Sequence, residues 1–226
     1  MGQFNDLKAA DGQAIPAYVA QPAGKPKAGI VVIQEIFGVN SHIRSVTDGF
    51  AADGYLAIAP SMFDRVQKNV ELGYTPDDVA KGREIRGKVT NDMAVKDAEA
   101  AIKASSASLP SAGKVGIVGY CWGGLVTWLS AGKTSGLACA VPYYGGGILD
   151  NKDLAPKVPL MGHFGEKDAH IPAAGIRELA KKYSQHQIFI YEADHGFNCD
   201  QRGSWNAPAA KQARERTLGF FRKHVG

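Results

Sequence analysis

The chain has no run of five or six basic residues, no apolar stretch near the roughly 18 residues that a membrane span needs, and no Asn-x-Ser/Thr sequon. With 26 Lys+Arg against 22 Asp+Glu, the formal charge of +4 leaves no footprint for nucleic acid or for an acidic membrane surface. A small anionic ligand stays open. Cysteine is scarce, and the three present, Cys121, Cys139 and Cys199, are far apart and form no Cys-x-x-Cys. Their number is odd and their spacing irregular, so neither a disulfide framework nor a zinc site is suggested, and a reducing compartment fits better. The first residues lack the basic and apolar regions of a signal peptide, and a cytoplasmic location is expected. Internal repeats and low-complexity linkers are missing too, and one domain over residues 1–226 is expected.

Glycine, by contrast, is plentiful: 27 of 226 residues, or about 12% where about 7% is usual. Short β-branched runs alternate with segments of helical period, the pattern of βαβ units around a mostly parallel sheet. The class is therefore α/β. Strands are expected at Ile15–Ala20, Gly29–Gln34, Tyr55–Ala59, Val115–Gly119, Ala138–Tyr143, Val158–Phe164 and Gln187–Tyr191. Helices are expected at Ser41–Asp53, Asn91–Ser105, Gly124–Ala131, Ala173–Tyr183 and Ala207–His224. Residues 61–90 show neither period and read as an insertion over one edge of the sheet.

The sharpest local signal is Gly119-Tyr-Cys-Trp-Gly-Gly124, directly after a buried-strand pattern. A side chain raised on a strand-to-helix turn needs glycine two positions to either side, because the backbones meet there with no space for Cβ atoms. Gly119 and Gly123 meet that need. The following helix N-terminus favours a thiolate and offers backbone N–H groups to an oxyanion, so Cys121 is a candidate nucleophile rather than only a small buried residue. A base and an acid should follow at later strand ends. Asp168 lies after Val158–Phe164, and His195 after Gln187–Tyr191, in the order nucleophile, acid, histidine. His163, inside a predicted strand, and His170, beside the acid, rank below His195; Asp194 and Glu166 rank below Asp168.

These motifs resemble the dienelactone hydrolase family of the α/β-hydrolase superfamily. The resemblance rests on Gln34-Glu-Ile-Phe-Gly38, Gly54-Tyr-Leu-Ala-Ile-Ala-Pro60, Gly119-Tyr-Cys-Trp-Gly-Gly124, Gly165-Glu-Lys-Asp168 and Asp194-His-Gly-Phe197. It implies a three-layer α/β-hydrolase fold, a Cys121–His195–Asp168 triad, and cleavage of a small lactone or ester through a thioester on Cys121, with no cofactor and no metal. It further implies that Glu35 contacts the resting thiol and yields when substrate binds, and that the backbone N–H groups of Ile36 and Trp122 form the oxyanion hole. Phe37, Tyr144, Phe197 and Trp122 are expected as pocket walls. Family substrates carry a carboxylate, and Arg83, Arg86 and Arg202 are the candidate cations, each read first as a solvated surface charge. The partner expected is a small lactone or ester, with the chain a monomer or weak homodimer. Another ester on the same triad, or a redox or ligand-binding protein keeping the fold, are the alternatives.

Overall fold

A computed structural model describes residues 1–110 and 113–226. Eight strands form one sheet: β1 (Gln3–Lys8), β2 (Ala14–Ala20), β3 (Gly29–Ile33), β4 (Leu56–Pro60), β5 (Val115–Tyr120), β6 (Leu137–Tyr143), β7 (Met161–Gly165) and β8 (Gln187–Tyr191). Their order across the sheet is β1-β2-β4-β3-β5-β6-β7-β8. From β4 to β8 every pairing is parallel, while β1 and β2 run antiparallel at one edge. The helices are α1 (Ser41–Ala52), α2 (Pro76–Gly87), α3 (Asn91–Ala107), α4 (Trp122–Lys133), α5 (Ala173–Lys182) and α6 (Ala207–His224).

The parallel strands need cover on both faces, and the sequence supplies it. In β3, β4 and β5 every residue is buried, as continuous apolar runs require. Helices α1 and α6 share one face, joined by the Phe50–Phe221 ring pair at 5.8 Å. Helices α3 and α4 pack together on the other, and α5 reaches α4 through Trp128 and Tyr183 at 5.6 Å.

Three elements differ from the sequence expectation. Strand β1 was not expected, because its exposed Gln-Phe-Asn-Asp-Leu-Lys lacks an apolar face and pairs only with β2. The run from Val158 enters the ladder only at Met161, since Pro159 has no N–H to give; its carbonyl instead accepts from Ala140 at 3.0 Å. Within residues 61–90 a helix exists after all. Thr75 and Asp78 close a capping box around the start of α2, and Pro76 occupies its first turn. Its position also differs: a Cβ on Gly82 would stand 2.3 Å from the Ile36 carbonyl oxygen, so α2 presses on the chain leaving the central strand β3 rather than on a sheet edge.

His163 in β7 is a structural group. It is fully buried, with Nδ1 2.8 Å from the Tyr191 hydroxyl and Nε2 3.1 Å from Thr217 Oγ1. Burial, aided by Arg216, pulls it down to about 3 from an ordinary value near 6.5. Between those values the unfolded chain binds a proton that the folded chain refuses, so stability should fall as pH drops through the window, by up to about 1.4 kcal/mol per pH unit. Urea midpoints of the wild type and His163→Gln at about pH 7 and about pH 5 check this. The variant should show the flatter dependence; equal slopes would contradict it.

Candidate active site

Strand β5 carries Cys121 to the centre of the sheet's carboxyl edge. Cys121 adopts φ 55°, ψ −119°, a conformation that a residue with a Cβ holds only when its surroundings enforce it. The enforcement comes from close backbone approach. A Cβ on Gly119 would lie 2.1 Å from the Gly123 carbonyl oxygen, and one on Gly123 would lie 2.5 Å from the carbonyl oxygens of Ile33 and Gln34. The turn therefore tolerates no side chain at either place. Helix α4 starts at Trp122, two residues earlier than the glycine pair led the sequence reading to expect. As the first helical residue, Trp122 has an N–H with no acceptor inside the helix.

Asp168 and His195 converge on this turn from β7 and β8. Asp168 Oδ2 stands 2.7 Å from His195 Nδ1, and His195 Nε2 stands 3.1 Å from Cys121 Sγ. The other oxygen of Asp168 accepts from the backbone N–H groups of His170 and Ile171 at 2.8 and 3.2 Å, which fixes the carboxylate's direction. Burial disfavours a charged imidazole at His195, but the adjoining Cys121 and Asp168 outweigh it and raise the group to about 10. His170 is exposed and meets His195 edge-on at 5.6 Å, outside the chain of hydrogen bonds. Glu166 pairs with Arg177, and Asp194 accepts from the His195 backbone N–H at 2.6 Å.

A cleft of about 310 Å³ opens over the histidine, lined by Tyr74, His170, Asp194, His195, Arg202, Gly203 and Ser204. This size suits a small molecule. Behind it Glu35 is fully buried, and its carboxylate accepts from Arg202 Nη1 at 3.0 Å and from the Tyr74 hydroxyl at 3.2 Å. The implied contact of Glu35 with the thiol is thus not the one this structure shows: Sγ faces His195 while Glu35 is held by Arg202 and Tyr74.

Several residue readings need correction. Arg202 is no surface charge; its guanidinium is an ion-pair partner of a buried carboxylate and lies over the Phe37 and Tyr74 rings at 5.7 and 5.8 Å. Arg86 is half-buried against the Trp122 ring at 5.9 Å, while Arg83 is exposed on α2. Phe37, Tyr144 and Phe197 are core residues, no more than 2% exposed, and do not line the cleft. Tyr144 packs edge-on against His195, its ring 5.2 Å from the imidazole. Trp122 likewise is buried, stacked on Phe63 at 5.3 Å. The aromatic wall is Tyr74, which sequence reasoning missed. The available signal was Thr75-Pro-Asp-Asp78, a helix start that fixes the residue just before it.

A mostly parallel sheet, a residue in a strained turn after a central strand, and an acid and histidine at two later strand ends define an α/β-hydrolase fold. The model of the dienelactone hydrolase family matches residues 15–225. A relative from Synechocystis sp., provisionally named a carboxymethylenebutenolidase, is 38% identical over 93% of this chain and 92% of its own. The carboxymethylenebutenolidase of Pseudomonas putida is 34% identical over 95% of this chain and 94% of its own. A crystal structure from Klebsiella pneumoniae, provisionally called a dienelactone hydrolase, superposes with a TM-score of 0.87 at 30% identity, covering 99% of both chains. The chain belongs to the dienelactone hydrolase family and is a hydrolase. Among the described residues, no helix is long and apolar enough to cross a membrane.

Proposed function

We propose that the protein hydrolyses small esters or lactones, enol-lactones of the dienelactone type among them, with Cys121 as nucleophile, His195 as base and acid, and Asp168 as its orienting partner. One observation carries this reading: the unbroken line Asp168 Oδ2, His195 Nδ1, His195 Nε2, Cys121 Sγ, with steps of 2.7 and 3.1 Å across the ring. The Cys121 thiolate attacks the carbonyl carbon. The backbone N–H groups of Ile36 and Trp122 hold the developing oxyanion. The tetrahedral intermediate collapses to a thioester, and the His195 imidazolium gives its proton to the departing alkoxide or enolate. The neutral imidazole then takes a proton from water, hydroxide adds to the thioester, and collapse returns the thiolate and the acid. An amine leaves far less readily than an enolate, so peptides are not expected substrates.

Charge within the cleft bears on substrate choice. Glu35 neutralises Arg202, so neutral esters should be accepted alongside carboxylate-bearing lactones, the latter competing with Glu35 for the guanidinium. Steady-state rates on p-nitrophenyl acetate and on a matched pair of neutral and carboxylate-bearing enol-lactones test the reading. Turnover of the ester and at least one lactone is expected, with none of the corresponding amide. A folded protein that turns over no ester or lactone would overturn it.

A further inference from the structure

Beneath the cleft lies a group of side chains that the triad does not use. Glu35, His42 and Cys199 are all buried, and one potential ligand atom from each lies within 4.8 Å of the others. They come from three places, the chain leaving β3, the first turn of α1 and the turn after His195. Such scattered positions form no spacing that a sequence would display.

His42 adds an independent observation. It is 3% exposed, its Nδ1 stands 3.3 Å from Asp200 Oδ1, and its Nε2 is buried with no hydrogen-bond partner among the described residues. A carboxylate that accepts the proton of one ring nitrogen leaves a lone pair on the other, which is how metal-bound histidines are oriented. An orphaned buried polar atom is destabilising, and a ligand at Nε2 would remove that cost.

We propose that Glu35, His42 and Cys199 form a zinc-binding site, with Asp200 orienting His42. Thiolate, imidazole and carboxylate are the three ligand types that zinc takes from proteins. Zinc–ligand bonds of about 2.0–2.3 Å put the ligand atoms of a tetrahedron about 3.3–3.7 Å apart, so the group contracts by about 1 Å on binding. On binding, the Cys199 S–H bond breaks, the sulfur electron pair goes to zinc, and the proton passes to solvent. Glu35 turns a carboxylate oxygen to the metal and releases Arg202, which swings into the cleft; water from the cleft completes the tetrahedron. Two positive charges enter and one proton leaves: zinc with its thiolate and carboxylate is neutral, and the added charge is carried by Arg202, which loses Glu35 as its partner but stays at the solvent-open cleft. Zinc displaces the thiol proton, so it binds more strongly as pH rises. The site shares Glu35 with the wall of the cleft but uses none of the triad, and it is tested without an activity assay.

The Cys121→Ala protein, which lacks the more exposed cleft thiol, is titrated with CoCl₂ and then ZnCl₂. One cobalt per chain is expected, with a thiolate-to-cobalt charge-transfer band that zinc abolishes and that strengthens with pH. Adding Cys199→Ser should remove the band, and adding either Cys199→Ser or His42→Gln should weaken zinc binding by at least about tenfold. Metal-free melting curves establish that each variant is folded, and if one is not, the other decides. A band that survives loss of Cys199, zinc affinity indifferent to His42, or no uptake by Cys121→Ala would overturn the proposal.

Discussion

Replacing Cys121 with alanine should lower kcat/KM for a small ester by at least about 10⁴-fold while the protein still folds. Only the nucleophile is lost. The backbone at position 121 keeps its φ of 55° whichever of the two side chains it bears, because Gly119 and Gly123 and the strand end around them set the turn. The melting temperature should accordingly move by little. What remains after the substitution is the oxyanion hole and the cleft, which alone give about 10³–10⁴ over water for a water-mediated attack. Serine at the same place restores a nucleophilic atom, but a hydroxyl gives up its proton far less readily than a thiol, so Cys121→Ser should stay well below wild type. An alanine variant retaining near-wild-type rates would show that the triad has been misassigned.

His195→Gln should cost nearly as much, at least about 10³-fold in kcat, because in the proposed mechanism one ring serves both halves of the reaction. Glutamine keeps much of the side-chain volume yet cannot carry a proton between Sγ and the leaving group. A second readout separates loss of proton transfer from loss of shape. Cys121 and Asp168 raise His195 against the opposing effect of burial, which favours a protonated ring 3.1 Å from sulfur. Removing that charge should slow alkylation of Cys121 by iodoacetamide at about pH 7 by roughly tenfold. Alkylation as fast in His195→Gln as in wild type would mean that the histidine does not hold the thiol in its reactive form.

How much of this could be read from the sequence depended on whether each feature leaves a local chemical trace. The turn at Cys121 does, since two glycines must flank it, and so do Asp168 and His195, each placed just beyond an apolar strand. Strand β1 leaves none, being a polar edge strand defined by its pairing with β2. The start of α2 left a trace that was overlooked: Thr75 and Asp78 form a capping box, but the charged and glycine-rich residues that follow have no apolar stripe. Missing α2 meant missing Tyr74 and the covering of Ile36 by Gly82. Arg202 and Glu35 illustrate the other limit. Each is an ordinary charged residue in sequence, and only folding brings them to 3.0 Å across 167 residues of chain. Aromatic residues beside a motif were equally ambiguous: Phe37, Tyr144 and Phe197 went to the core beneath the site, while Tyr74 came to the cleft from a segment with no recognised period.

A covalent thioester on Cys121 is tested by mixing the protein with p-nitrophenyl acetate, quenching with acid in the pre-steady state and mapping the mass of the acylated peptides. One acetyl group per chain is expected, on the peptide containing Cys121, removable by hydroxylamine and lacking in Cys121→Ala. An acetyl group on a different residue, or steady turnover with no acylated peptide at any quench time, would contradict it.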